Sequence, residues 1–424
     1  MFKGITKIFS KGNKDLRKRI YFTLFCLGFF ALGINITIPW ANTIYDTIYE
    51  ELGFLEIFNL MSGGGLQSFS IFGLGVSPYI TASIITQLLQ MDIIPYFKEL
   101  KEQGYVGRQK INKITRYLGI IIAFIQAYAI SVFYLGTSDV MVMLKTSLVM
   151  TAGTAFLLWM GDQITQKGIG NGQSLLIMAG ILISMPNVFT NVYNTFIHGN
   201  MEIGLGVTLF VLYIICYILI IVGIIWVQLA ERRIPIQYSN RTTSAYGAQQ
   251  SFLPIKLNSA GVIPVIFASV LTTIPGTIVA LTKNDAAINF VNNYISYTSP
   301  TGFLLYIILI FAFSYFYTFL SMNPEEMSKN LNKNGGYIPG VRPGADTSGY
   351  ISKTLSRVTL VGAVFLVILA GLPILISSFS GLPTSVSLGG TGILIVVGVV
   401  IETYKQIESS LTARSYAERK RRFR

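Results

Sequence analysis

Apolar residues run along this chain in long blocks rather than in the short alternations of a soluble fold. Almost uncharged stretches recur at 20–38, 66–91, 117–136, 146–164, 174–197, 203–228, 258–282, 302–322, 358–379 and 385–404. Each is near the ~20 residues that cross a hydrocarbon core as a helix. No charge separates Arg357 from Glu402, a run too long for one span, and Pro373, Gly381, Pro383, Gly389 and Gly390 predict a turn inside it. The pattern predicts an all-α polytopic membrane protein with ten transmembrane helices.

Three segments depart from it. Met61-Ser62-Gly63-Gly64-Gly65 precedes Leu66-Gln67-Ser68-Phe69-Ser70-Ile71-Phe72, and Gly73, Gly75 and Pro78 interrupt before a helix resumes. Non-helical backbone at membrane depth persists only where protein buries it or where it lines a cavity. Residues 61–75 therefore read either as a short glycine-hinged helix that moves in a central cavity or as a re-entrant connector. After Pro235, apolar and polar residues alternate in loop 229–257, as in a small β-ribbon. In loop 323–357, Gly335-Gly336-Tyr337-Ile338-Pro339-Gly340-Val341-Arg342-Pro343-Gly344 predicts a stiffly turned tip.

Composition agrees with a membrane location: 52% of residues are hydrophobic and 12% charged, against about 25% charged in soluble domains. The net charge of +13 adds orientation. All 32 lysines and arginines except Lys145 and Lys283 fall in 1–19, 92–116, 229–257, 323–357 and 402–424 or at Lys167, all on one side of the predicted spans. Basic loops stay cytoplasmic, so both termini are expected on the cytoplasmic side of the membrane. Residues 20–38 are too long, and lack the small-residue cleavage pattern, for a signal peptide. Phe2, Ile5, Ile8 and Phe9 at helical spacing among lysines fit a surface helix, and a solvated basic tail fits equally.

The spans carry little chemistry. Their cores hold no Asp, Glu, Lys, Arg or His, with Asp162 and Lys145 at edges, whereas ion-coupled carriers usually need intramembrane ionisable groups. There is no phosphate-binding Gly-x-x-x-x-Gly-Lys loop. His198 is the only histidine, and Cys26 and Cys216 sit in spans as packing residues. A metal site, a cofactor site and a catalytic triad are therefore not expected, nor is enzymatic activity. A passive conduit driven from outside fits this interior. Most basic residues serve topology, but Arg232, Arg233 and Arg342 are candidates for docking carboxylates or phosphates through planar donor forks.

Five spans fall in each half, so the halves have opposite orientation, as in an inverted repeat. The second span of each half carries Pro-x-Ile (Pro78-Tyr79-Ile80 and Pro264-Val265-Ile266). The fifth opens with Gly-x-small-x-Leu-Ile (Gly172 to Ile177, and Gly390 to Ile395). These matches nominate the second and fifth spans as lining an axis between the halves. The expected organisation is a basic N-terminus (1–19), a first half (20–200), a second half (203–404) and a basic tail (405–424).

Ser70-Ile-Phe-Gly-Leu-Gly-Val-Ser-Pro-Tyr-Ile-Thr-Ala-Ser-Ile-Ile-Thr-Gln-Leu-Leu89 resembles the second transmembrane segment of the SecY family, the channel subunits of the bacterial protein translocon. Residues Gly153–Gly172, Leu257–Pro264, the Pro339–Gly344 tip and Gly389–Ile395 are similar to other segments of that family, in register from about residue 15 to 410. The resemblance implies two inverted five-helix halves around a central hourglass pore that passes unfolded secretory polypeptides across the membrane and releases others sideways into lipid. By motif position, its apolar waist would be Ile80, Ile84, Ile177, Ile181, Ile266 and Ile395. An isoleucine in a span ordinarily packs against core or lipid; only the motif singles these out. A ring of branched apolar side chains closes dry, and yields to any extended chain because it makes no specific bond.

The resemblance further makes Leu66–Phe72, hinged at Gly63, Gly64 and Gly65, a plug. Gly65, where the family often has alanine, should loosen that hinge. The second and third spans would part from the seventh and eighth as a lateral gate, with Pro264 and Pro275 letting the seventh bend. Arg342 falls where the family has a partner-engaging arginine, and Arg232 and Arg233 fall in a loop that contacts the ribosome and the SecA motor ATPase. SecE and SecG are the implied membrane partners, secretory signal sequences the clients, and membrane lipids the surroundings. Two rival readings are a secondary transporter of a small solute and a ribosome-docking receptor that does not conduct.

Overall fold

A chain in hydrocarbon must satisfy its backbone hydrogen bonds internally, and helices do this within one segment. The computed structural model describes residues 14–40, 59–90, 94–135, 139–197, 203–238, 251–282, 285–296, 299–380 and 384–422. The N-terminal surface helix expected near Phe2–Phe9, and Arg241 in the second basic loop, lie outside them. Ten helices correspond to the ten expected spans: α1 (Lys14–Ile34), α2 (Ser77–Leu89), α4 (Tyr105–Tyr134), α5 (Val140–Lys167), α6 (Gly172–Ile197), α7 (Ile203–Leu229), α8 (Ile263–Thr282), α10 (Pro300–Ser321), α12 (Ala345–Ser380) and α13 (Thr384–Arg422). Short helices α3 (Pro95–Glu102), α9 (Asp285–Tyr294) and α11 (Pro324–Lys333) lie in the connections.

Several boundaries differ from the sequence pattern. The second span becomes helical at Ser77 rather than at residue 66, with Pro78 in the first turn. Proline suits that place because its missing N–H is an orphan there anyway. Pro373 does not end α12, and α13 runs unbroken through Gly389 and Gly390 and along most of the basic tail. The first of these helices ends at Ser380 and the second begins at Thr384. In a packed bundle, neighbouring groups re-satisfy backbone freed by an internal proline.

The halves meet where their second and fifth spans face one another. In the contact pattern α8 lies against α2 and α4, and α13 lies against α6. Small residues and hydrogen bonds set these approaches. A β-carbon on Gly172 of α6 would overlap the Gly161 carbonyl of α5. The buried hydroxyls of Thr86 and Thr115, 3.0 Å apart, join α2 to α4. Arg116 and Asp162 pair at 2.8 Å between α4 and α5. Lipid tails are as apolar as leucine, so close van der Waals fit and such polar bonds, about 1 kcal/mol each, are what associate the spans.

The second basic loop forms the expected ribbon. Strand β1 (Glu231–Tyr238) pairs antiparallel with β2 (Ser251–Lys256), placing Arg233 opposite Pro254. A short strand, β3 (Gly336–Tyr337), from the loop after α11 adds to the other edge of β1. Ile234, Ile236 and Ile255 of the ribbon bury against Leu331, Ile338, Ile351 and Leu355, so the two basic loops share one small core.

The α5–α6 contact makes a stability prediction. Gly172→Val should cost about 1–3 kcal/mol through overpacking. Gly204→Ala, where a β-carbon meets nothing within 4 Å, should be neutral or slightly stabilising. Thermal unfolding midpoints of the purified protein compare the two.

Candidate functional site

Helical spacing puts Ile80 and Ile84 on one face of α2, and Ile177 and Ile181 on one face of α6, one turn apart in each case. Ile266 stands one turn into α8, and Ile395 lies on α13. All six are buried in one apolar cluster, with Ile181 0% and Ile266 8% exposed. The structure therefore brings together isoleucines from four helices and both halves. Ile177, Ile266 and Ile395 also line a cavity of about 350 Å³ on the side of the basic loops, with Asn171, Gln228, Asn258 and Glu402 on its walls. Ile80, Ile84 and Ile181 do not line it. The three isoleucines give a polar funnel an apolar floor.

Beyond that floor lies the Gly63–Phe72 segment, and it is not a short helix. Gly63 and Gly64 take φ of 74° and 84°, and Phe69 takes φ of 44°, outside the right-handed helical region. Gly65 has no such φ. Its lack of a β-carbon admits the Ser70 hydroxyl instead, so its expected role as a loosened hinge gains no support from its backbone. The segment is a chain of turns whose polar groups are met locally. The Gly64 N–H donates to the Asn59 carbonyl (2.8 Å), the Ser70 N–H to the Gly65 carbonyl (2.8 Å), and the Gln67 N–H to Asn59 Oδ1 (2.9 Å).

Its seat is more specific than the sequence suggested. Thr37, just past α1, and Ser70 form an antiparallel bridge. There the Ile38 N–H donates to the Phe69 carbonyl and the Ile71 N–H to the Ile36 carbonyl, both at 3.0 Å. β-carbons at Gly180, Gly153 and Gly33 would overlap the Met61 carbonyl, the Ile71 carbonyl and the Phe72 ring respectively. Leu66 and Phe69 bury against α4 and α5, in a cluster with Ala123, Ile130, Met143 and Met150. The Phe72 ring stacks with Phe30 at 6.1 Å and with Phe156 at 6.0 Å. Gln67 points outward and is exposed. Asn59, the three receiving glycines and the Thr37–Ser70 bridge carry no distinguishing signal in the sequence pattern. Glycines within apolar spans signal that some backbone comes close, but not which one.

The three singled-out arginines are exposed on the module that the two basic loops share. They differ in freedom. Arg233 Nε meets Glu231 Oε1 at 2.8 Å, and its guanidinium lies 4.7 Å from the Phe252 ring centroid. Arg342 sits on a tip pinned from within. Its carbonyl accepts from the Thr347 hydroxyl (2.8 Å), the Gly344 carbonyl accepts from the Ser328 hydroxyl (2.9 Å), and Gly340 and Gly344 take φ of 80° and 106°. Those angles favour glycine, and they hold the Arg342 side chain outward on a stiff turn.

Comparison with known proteins fits this architecture. Residues 70–404 match the family model named SecY. The protein translocase subunit SecY of Halalkalibacterium halodurans is 45% identical over 98% of this chain and 99% of its own length. That of Bacillus subtilis is 44% identical over the same shares. Among solved structures, one described as the structure of a protein conducting channel superposes with a TM-score of 0.64 at 19% identity, covering 93% of this chain and 92% of the other. Sec61 in a canine ribosome-channel complex from the endoplasmic reticulum gives 0.61 at 19% identity over the same shares. These relatives do not favour the solute-transporter reading. Ten spanning helices in two inverted halves, a matching family model over most of the length and near-full-length relatives together lead to one conclusion: this chain belongs to the SecY family, the multi-pass channel subunits of the bacterial protein translocase.

Proposed function

We propose that the six isoleucines are the seal of this protein-conducting channel and that Gly63–Phe72 is its plug. One observation carries the reading. Isoleucines from α6, α8 and α13 floor a polar funnel on the basic side, while the glycine-rich segment is seated on the opposite side of the same cluster. A hydrated ion entering the floor would lose water and meet no ligand, so the closed ring resists ions. A polypeptide can pass because side chains that make no directional bond can rearrange around any sequence.

On this reading, α2 and α4 part from α8 and α10 to release apolar segments into lipid. Pro275 inside α8 supports bending there. Both termini face the cytoplasm, following the basic-loop asymmetry. The chain is not an enzyme; energy comes from a partner that grips the joined cytoplasmic loops at Arg342 and Arg232, with Arg233 partly engaged by Glu231. SecA or a translating ribosome would fill that role, with SecE and SecG beside the channel in the membrane.

Ile266→Asn or Ile395→Asn should raise resting ion conductance at least severalfold in planar bilayers and relax the requirement for an apolar leader. Conductance equal to wild type would remove the seal role. Arg342→Glu should abolish partner-driven export into inverted membrane vesicles while leaving helical content unchanged, and normal export would exclude the tip from docking. Opposed residues of an antiparallel bridge have β-carbons about 4.5–5.5 Å apart, within reach of a slightly adjusted disulfide. Oxidised Thr37→Cys/Ser70→Cys should therefore stop translocation until reductant is added; undiminished transport in the oxidised state would show that the plug does not move.

A further inference from the structure

Helix α9 joins the ends of α8 and α10 that lie farthest from the basic loops, so it sits at the opposite face of the membrane. Its apolar residues form one continuous arc. At about 100° per residue, Phe290, Tyr294, Ala287, Val291 and Ile288 follow one another around the helix, and Asn292, Asn289 and Asn293 fill the other side. The protein covers only part of this arc. At one edge Val291 is buried, and Ile288 packs on the cluster that holds Leu66 and Phe69. At the other edge Phe290 and Tyr294 are 57% and 55% exposed, with ring centroids 5.1 Å apart.

The neighbours of α9 say what the exposed edge meets. Ile278, about one turn before the end of α8, and Leu304, about one turn into α10, are exposed apolar residues of spanning helices. A bilayer that covers them reaches its headgroup layer at the level of α9, where aromatic rings are enriched. The buried edge joins the two halves. All other members of the Leu66 and Phe69 cluster, and the side chains packed on it, fall between Ile38 and Met150; among the described residues Ile288 alone comes from the second half. The helix is also fixed to α10. The Thr301 hydroxyl donates to the Tyr294 carbonyl at 3.1 Å, and a β-carbon on Gly302 would overlap the Ser296 carbonyl.

We propose that α9 is a membrane-seated strap: Phe290 and Tyr294 lie in the lipid headgroup layer opposite the basic loops, and Ile288 holds the plug in its seat. The inference rests on the plug reading above and adds a lipid surface as the strap's partner. The two rings set the height of α9 against the bilayer, and Ile288, on the same short helix, takes its height from them. When α10 draws away from α2 and α4, α9 travels with it and Ile288 leaves the cluster. The plug then keeps only the contacts of the first half.

The test uses the full chain with its membrane partner subunits, reconstituted into phospholipid bilayers, and has two readouts. In a Cys26→Ala/Cys216→Ala background, a bimane fluorophore is attached at Tyr294→Cys or at Asn289→Cys. Phospholipid carrying a headgroup nitroxide should quench the first about twofold more than the second, as an interfacial position requires. Equal quenching, or none at either position, means that water or another protein covers the aromatic edge, and the lipid contact is overturned. The second readout is resting ion conductance. Ile288→Ala and Phe290→Ser/Tyr294→Ser should each raise it about threefold, as the loss of one partly buried apolar contact would. Ile288→Leu and Phe290→Trp/Tyr294→Trp should stay near wild type. Wild-type conductance in Ile288→Ala overturns the strap. The oxidised Thr37→Cys/Ser70→Cys bridge holds the plug by other means, so adding it to Ile288→Ala should restore low conductance. A leak that persists there overturns the action of Ile288 through the plug. Undiminished transport with that bridge closed in an otherwise wild-type chain is the separate sign that the plug reading has failed, and this inference fails with it.

Discussion

A backbone that is not helical at membrane depth has to find every hydrogen bond by some other means, and residues 62–76 are where this chain meets that demand. The solution is part local and part borrowed. Asn59 supplies both its carbonyl and its side-chain oxygen to the turns, and Ile36 and Ile38 contribute the two hydrogen bonds of an isolated bridge. Glycines on three surrounding helices then let the segment lie close enough to be covered. Everything else about the centre follows from that seat. The segment buries Leu66 and Phe69 on one side, Phe72 on another, and leaves the isoleucine cluster closed below it.

The isoleucine cluster and the Gly63–Phe72 segment rely on opposite kinds of interaction. The isoleucines gain by excluding water and make no directional bond, so their contacts are non-specific and tolerate rearrangement. The Gly63–Phe72 segment is fixed by named donors and acceptors and by stacked rings, so it has one well-defined resting place. The basic-loop module adds a third kind, a small apolar core built from two loops, which holds charged side chains on a firm base rather than on tethers.

Much of this was legible in the sequence, for physical reasons that can be named. Spans of about 20 apolar residues have few alternatives to a transmembrane helix. Alternation after Pro235 gave the ribbon, and glycine and proline density gave the Arg342 tip. By composition and spacing the six isoleucines read as ordinary packing residues, and only a motif match singled them out; the structure places them in one buried cluster. Other features were hidden because they depend on partners distant in sequence. Nothing at Thr37 marks it for Ser70, and Gly336–Tyr337 is too short a strand to announce itself. Pro373 read as a helix end because local propensity is unaware of a bundle that supports the bond proline leaves open.

The three-stranded sheet has a mechanical consequence that its hydrogen bonding alone does not convey. Its strand β2 ends at Lys256, and α8 begins at Ile263, so six residues join them. Fully stretched, that link spans roughly 20 Å, and it is already shortened. The Leu257 N–H is tied to the Ala230 carbonyl at 2.9 Å, Asn258 Nδ2 is tied to the Gly261 carbonyl at 2.9 Å, and the Leu257 carbonyl rests against Gly362 of α12 with no room for a β-carbon between them. Little slack remains between the exposed module and the helix that carries Ile266. A tilt or pull on the sheet that exceeds this slack must either break those ties or be handed on to α8 as displacement.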